Sequence, residues 1–202
     1  MAGKLGGEVK PPRYEVYVGS GDRFKFTAAH FIAFKGYRER LHGHNYTVAV
    51  RVAGNAEVGP DGYVVDFGDI KRVVIALCKE LNEHFLLPAN GDAVDMELVG
   101  GKEWHLVCED GTKFVMPKND VAVLPIAHSS AEELAAYVWT RVVDAFSMEV
   151  LQRRGVTELQ VTVAEAPNQQ ASYTRSPSHH SPGCILPCEG RNFTASPCCS
   201  GY

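Results

Sequence analysis

The sequence predicts an α+β domain with an antiparallel sheet and two helices. Three observations lead there. Two runs, 24–30 and 42–52, alternate apolar and other residues with a period of two, as half-buried strands do. Two later segments repeat apolar residues at helical spacing. Strands and helices also come segregated, where a parallel sheet would need them in strict alternation.

Taking the elements in order, residues 1–13 are rich in Gly, Lys and Pro and are expected to be flexible. Phe24, Phe26, Ala28 and His30 then share one strand face. His42, His44, Tyr46, Val48, Val50 and Val52 share another, and His leads both apolar rows. Asp66 is a helix N-cap with Asp69 in the first turn. Ile70, Val73, Val74, Leu77 and Leu81 form that helix's stripe, which is expected to run out near His84 to Pro88.

Residues 89–125 are expected to be an insertion. Glu109-Asp110-Gly111 between two apolar runs predicts a hairpin within it. A second helix begins at Ser129 or Ser130, with Glu132 and Glu133 available for a capping box. Its stripe is Ala135, Val138, Trp139, Val142, Phe146 and Val150, and Gly155 is expected to stop it. Two strands follow, 158–165 and about 170–174. From 175 the chain is Ser, Pro, Gly, His and Cys without periodicity, which predicts a disordered tail and a folded domain spanning 14–174.

The bulk numbers bound the function. The chain has 202 residues, 45% hydrophobic and 22% charged, enough apolar material for one core. A net charge of −4 lacks the basic footprint of a nucleic-acid binder. No apolar run approaches the roughly 20 residues of a membrane helix, and no secretory signal is visible. Cys184, Cys188, Cys198 and Cys199 crowd the end, away from any core, so a disulfide framework is not indicated. The expectation is a cytoplasmic protein with reduced thiols and no nucleic-acid or membrane partner.

The chemistry-bearing residues are histidines and glutamates. His42 and His44 point to one face of a strand, and His30 ends a neighbouring apolar row. Three neutral imidazoles with an open fourth position suit catalytic zinc, although each is also readable as a hydrogen-bonded strand histidine. Glu39, three residues before His42, is on spacing alone a solvated loop glutamate, yet beside a metal it would be a general base. Glu165 ends the row Leu159, Val161, Val163. It is either a partly buried carboxylate awaiting a partner or a strand-end residue turned to solvent. Glu83-His84 reads as a helix end, with a proton-relay pair as the alternative. His179, His180 and the four tail cysteines have metal-binding chemistry, but their spacing fits no closed structural zinc pattern.

Phe26-Thr27-Ala28-Ala29-His30, Leu41-His42-Gly43-His44-Asn45-Tyr46, Asp66-Phe67-Gly68-Asp69-Ile70-Lys71, Ser129-Ser130-Ala131-Glu132-Glu133-Leu134 and Val163-Ala164-Glu165 together resemble the 6-pyruvoyl-tetrahydropterin synthase and 6-carboxytetrahydropterin synthase family. The resemblance implies the tunnelling fold, a four-stranded antiparallel sheet with two helices on one face, here with an inserted hairpin. It implies a homohexamer built as a dimer of trimers, with substrate sites between subunits. By resemblance His30, His42 and His44 bind Zn2+. Glu165 anchors the pterin, helped by the segment Ser129, Ser130, Ala131 and Glu132, where Ala131 replaces a common threonine. Glu83 and His84 fall on the family's Asp-His pair.

One departure bears on the reaction. Typical members carry a catalytic cysteine shortly before His-Gly-His; this chain has Glu39 and no cysteine between His30 and His42. That pattern resembles a variant subgroup from malaria parasites and some bacteria. The implied reaction is side-chain cleavage of 7,8-dihydroneopterin triphosphate to 6-hydroxymethyl-7,8-dihydropterin, a folate precursor. A carboxylate, with an ordinary pKa of about 4.3 against about 8.5 for a thiol, is already ionised at neutral pH. The rival readings are 6-pyruvoyl-tetrahydropterin synthase of tetrahydrobiopterin biosynthesis, 6-carboxytetrahydropterin synthase of queuosine biosynthesis, and a non-catalytic pterin- or metal-binding module. Lys25, Lys35, Arg38 and Arg40 are the candidate triphosphate contacts.

Overall fold

In the computed structural model, residues 13–19, 21, 23–55 and 58–180 are described. The strands in chain order are β1 (Glu15–Gly19), β2 (Lys25–His30), β3 (Ala33–Phe34), β4 (Tyr37–Arg38), β5 (His42–Gly54), β6 (His84–Pro88), β7 (Val94–Val99), β8 (Glu103–Cys108), β9 (Lys113–Pro117), β10 (Val121–Leu124), β11 (Val156–Ala166) and β12 (Gln169–Arg175). The helices are α1 (Phe67–Leu81), α2 (Ala131–Phe146) and α3 (Met148–Arg153).

Alternation decides which face of each central strand is buried. Phe24, Phe26, Ala28 and His30 are buried in or beside β2, while Lys25 and Thr27 are exposed. Tyr46, Val48, Val50 and Val52 are buried along β5, as are Leu159, Val161 and Val163 along β11. The antiparallel order β2-β5-β11-β12 is the four-stranded unit the resemblance implies, and β1 on β5 together with β6 and β10 beyond β2 extends it to a seven-stranded sheet. α1 and α2 cover its apolar face, placing Ile70, Val74, Leu77, Leu134, Val138 and Val142 against Val48, Val50, Val161 and Val163 in one core. Asp66 caps α1, its Oδ1 accepting from the Gly68 N–H at 2.6 Å. The Trp139 indole N–H donates to the Leu159 carbonyl at 2.9 Å, tying α2 to β11.

Four features correct the sequence expectations. First, α1 stops at Leu81, and His84–Pro88 is a strand. Glu83 has φ 61°, a left-handed conformation that a helix does not continue through. Phe85, Leu86 and Leu87 are all buried because β6 is covered on both faces, so no alternation marks it. β6 runs parallel to β2, and β10 runs parallel to β6. Second, the insertion is more than a hairpin. The Glu109-Asp110-Gly111 turn forms as expected, but β7, β8 and β9 make a three-stranded antiparallel sheet. Its Leu106 and Cys108 pack with Phe31, Phe85, Leu87 and Val121 in a second core.

Third, the second helix breaks at Ser147, which has φ 57°, so Val150 belongs to the separate short helix α3. Gly155, with φ 67°, follows that helix. Fourth, residues 176–180 do not continue as a loose tail. A 3-10 turn forms over Pro177–His179, and His180 is buried with Nε2 2.7 Å from Asp144 Oδ1. The rest of the expected tail, the N-terminus through residue 12 and the four terminal cysteines lie outside the described residues.

The position of β6 in the core gives a stability test. Leu86→Ala should cost about 2–5 kcal/mol in denaturant unfolding, the cost of emptying a packed leucine site. A helix-end leucine facing solvent would lose less than about 0.5 kcal/mol.

Candidate metal centre and active site

Register builds the site. β2 pairs antiparallel with β5 so that His30 lies opposite His42, and Ala28 lies opposite His44. Directly opposite residues share a face, so the three imidazoles meet at the end of the apolar row where α2 begins. Their ring centroids are 4.6, 5.2 and 5.0 Å apart, and one ligand nitrogen from each lies within 4.8 Å of the others. Gly43 permits the close pairing, because a Cβ there would sit 2.9 Å from the Ala28 carbonyl oxygen.

Hydrogen bonds orient two of the rings. His30 Nδ1 lies 2.9 Å from the Ser129 carbonyl, and His42 Nδ1 lies 2.8 Å from the Arg40 carbonyl. A carbonyl can only accept, so each Nδ1 carries a proton, and in the neutral form of each ring Nε2 is the nitrogen left with a lone pair. His30 Nε2 is buried and has no hydrogen-bond partner among the described residues. A buried lone pair left this way is what a metal ligand looks like before its ion is counted. Burial lowers the His30 pKa from 6.5 to about 4, and the neighbouring His42 and His44 add to the fall, while the bond to Ser129 opposes it. The ring is therefore neutral at physiological pH, as metal binding requires.

The carboxylates flank the rings. Glu165 places one oxygen 3.9 Å from His30 Nε2 and the other 3.9 Å from His44 Nε2. Its side chain is 22% exposed, so it is neither lost in the core nor free in solvent. Glu39 accepts from the Ile32 N–H at 3.0 Å and returns its own N–H to the Ile32 carbonyl at 2.9 Å. Its charge reaches both His30 and Tyr46, favouring the protonated form of each.

The other expected residues are placed as follows. Ser129 is fully buried; its carbonyl serves His30 and its hydroxyl donates to the Phe31 carbonyl at 3.2 Å. Ser130 caps α2, accepting from the Glu133 N–H at 3.4 Å, and Glu132 is exposed in the first turn. Glu83 and His84 line a separate cavity of about 440 Å³ with Ala29, Leu41 and Met116, and none of the three site histidines lines it. Lys25 lines a different concavity together with Arg23 and Lys79. Arg38 is engaged by the insertion, through Asp110 at 2.8 Å.

Tyr46 is the site residue the sequence reading passed over. Its ring stacks on Phe26 at 4.7 Å and meets His30 and His44 edge-on. Its hydroxyl is buried near Glu165 without reaching hydrogen-bond geometry, and burial followed by the Glu165 charge raises its pKa. The signal was present: Tyr46 follows His44 by two on the same strand face.

The fold and site thus define an α+β domain with an open three-histidine centre flanked by carboxylates. The family model for 6-pyruvoyl tetrahydropterin synthase matches residues 21–176. The crystal structure of 6-pyruvoyl tetrahydropterin synthase from Plasmodium vivax is 41% identical with a TM-score of 0.77, covering 82% of this chain and 99% of that one. Further structures of the P. vivax protein, 40% identical, carry alanine or cysteine in place of a catalytic glutamate. The putative 6-carboxy-5,6,7,8-tetrahydropterin synthase of Methanocaldococcus jannaschii is 30% identical over 151 residues, 75% of this chain and 90% of that protein. A dihydroneopterin monophosphate aldolase from Pyrococcus furiosus is 39% identical over 64 residues, 32% of this chain and 53% of that protein. The chain belongs to the 6-pyruvoyl tetrahydropterin synthase family and is a pterin-processing lyase of that family.

Metal-free protein should show the neutrality of His30 in its stability. The unfolded chain takes up this proton near pH 6.5 and the folded chain near 4. The contribution is therefore intact above pH 6.5, falls as pH drops toward 4, and levels off below. Urea unfolding at pH 7.5 and 4.5 should show a smaller pH difference for His30→Gln than for the parent. Equal differences would contradict the assignment.

Proposed function

We propose that the protein cleaves the side chain of 7,8-dihydroneopterin triphosphate to yield 6-hydroxymethyl-7,8-dihydropterin, with Zn2+ at His30, His42 and His44. The observation that carries this reading is which proton-transfer group stands near the triad. Glu39 is near enough for its charge to act on His30, and its carboxylate is held by Ile32. The described thiols, Cys78 and Cys108, are buried within α1 and β8, and burial pushes both pKa values up, that of Cys78 to about 11. Neither is a thiolate at neutral pH.

Three imidazole nitrogens with no fourth ligand among the described residues fit zinc in its catalytic form. Bound there, zinc would supply Lewis acidity toward the side-chain hydroxyls of the substrate. Glu39 takes the proton from the hydroxyl on the second side-chain carbon. The bond between the first and second carbons breaks, and its electron pair moves onto the first carbon, conjugated with the pterin ring. That carbon gains a proton to become the hydroxymethyl group, and the remaining two carbons leave as an aldehyde carrying the triphosphate. Glu165 accepts paired hydrogen bonds from the amidine-like edge of the pterin.

The catalytic glutamate of the P. vivax protein supports the role given to Glu39. The aldolase name of the P. furiosus relative supports carbon–carbon cleavage. The name of the M. jannaschii relative favours 6-carboxytetrahydropterin as the rival product; the absence of a described thiol at the triad weighs against it. 6-Pyruvoyl-tetrahydropterin is disfavoured for the same reason. Within one chain Glu83 and His84 face another cavity, so a catalytic role for them requires a second copy to deliver them, as in a hexamer with sites between subunits. We place the activity in the cytoplasm, where the described thiols stay reduced.

Incubation with 7,8-dihydroneopterin triphosphate followed by chromatography should give 6-hydroxymethyl-7,8-dihydropterin as the main product. Glu39→Gln should lower kcat by about 10²–10⁴-fold with metal content unchanged. A 6-pyruvoyl or 6-carboxy product, or full activity in Glu39→Gln, would overturn the reading. Turnover of no dihydropterin triphosphate would point to a binding module.

A further inference from the structure

The segment that carries Glu39 has little structure of its own. β3 and β4 form a ribbon of two residue pairs, Ala33 with Arg38 and Phe34 with Tyr37, and pair with no other strand among the described residues. A ribbon that short does not hold its own position in water. Two bonds to Ile32 hold Glu39 locally, and a contact from outside the ribbon must fix the segment as a whole.

The contacts of Arg38 identify it. Its Nη1 donates to the Glu39 carbonyl at 2.8 Å. Its Nε donates to Asp110 Oδ2 at 2.8 Å and its Nη2 to Thr112 Oγ1 at 3.0 Å. The guanidinium lies 5.9 Å from the ring centroid of Phe31 and 5.8 Å from that of Phe114, and those two rings stack at 5.2 Å. Asp110 is itself fixed, accepting from the Thr112 N–H at 2.9 Å. A second tether runs from the Gly36 N–H to Glu109 Oε2 at 2.7 Å. Asp110, Thr112 and Glu109 belong to the turn joining β8 and β9, and Phe114 belongs to β9. Phe31, next to His30, packs into the core of the inserted sheet.

We propose that Arg38 is a positioning residue for Glu39, and that the inserted three-stranded sheet sets the reach of the Glu39 carboxylate to the histidine centre through it. The insertion thereby takes part in the reaction without touching substrate. One planar fork bonds the Glu39 backbone and two side chains of the β8–β9 turn at once, while its face lies against two rings. An ammonium group offers neither the fork nor the flat face. This inference rests on the reading of Glu39 as the base.

The test uses Arg38→Lys, Asp110→Ala and Thr112→Val in the full chain, each alone and combined with Glu39→Gln. A misplacement near 1 Å costs a reaction about 10²-fold. Asp110→Ala and Arg38→Lys should each lower kcat by about 10- to 100-fold, with KM and metal content near those of the parent. Thr112→Val, the mildest change, should lower it less, and Asp110→Glu should recover part of the loss. On the Glu39→Gln background the same substitutions should leave the residual rate unchanged, because there is no longer a base to place. Unchanged kcat in Asp110→Ala and Arg38→Lys would overturn the inference. So would equal proportional losses with and without Glu39, or losses that follow metal content alone. Full activity in Glu39→Gln by itself would instead sink the assignment of Glu39 as base.

Discussion

The pairing of β2 with β5 is the constraint on which the site depends. It sets His30 across from His42 and, two residues along, Ala28 across from His44. Side chains alternate faces along a strand, so a slip of one residue would send His30 to the opposite face and dismantle the triad. The register is held by the same row of residues that forms the core: Phe26 against Tyr46, then Val48, Val50 and Val52 beneath the helices. Folding energy and the placement of the three imidazoles therefore come from one strand pair. Gly43 belongs to this constraint, since a side chain there would press on the Ala28 carbonyl.

Burial then turns geometry into chemistry. His30 sits at the end of the apolar row, against the start of α2, and the Ser129 carbonyl takes its one proton. The ring is neutral, its free nitrogen points into the site, and nothing among the described residues satisfies that nitrogen. An apolar floor of Tyr46 and Phe26 lies on one side and the Glu165 carboxylate on another. The carboxylate charge attracts a cation to the cluster, while burial keeps the His30 ring itself neutral and able to ligate. The polar segment before α2 thus orients a ring as well as starting a helix.

Much of this was legible in the sequence, because period-two patterns report directly on which face is buried. His30, His42, His44 and Glu165 each end an apolar row in the sequence, and strand register brings them together, His30 buried and His42 exposed. The boundaries read less well. β6 is buried on both faces and so lacks alternation, which let it pass as a helix end. The break at Ser147 depends on a left-handed backbone at a residue that does not advertise it. Of the three-stranded insertion, the hairpin of β8 and β9 was read from its Asp-Gly turn, while β7 was missed although Asp95 and Glu97 alternate with Val94, Met96 and Leu98. The roles of Arg38 and Asp110 depend on contacts across about 70 positions in the chain, which no local pattern encodes.

The central claim is that the metal is held by His30, His42 and His44 and by no sulfur. X-ray absorption at the zinc edge of the zinc-loaded full-length protein tests it most directly. The account predicts three imidazole nitrogens at about 2.0–2.1 Å with a light-atom fourth ligand, and loss of that signal in His42→Ala. Sulfur neighbours at about 2.3 Å, or a nitrogen shell that survives His42→Ala, would contradict it.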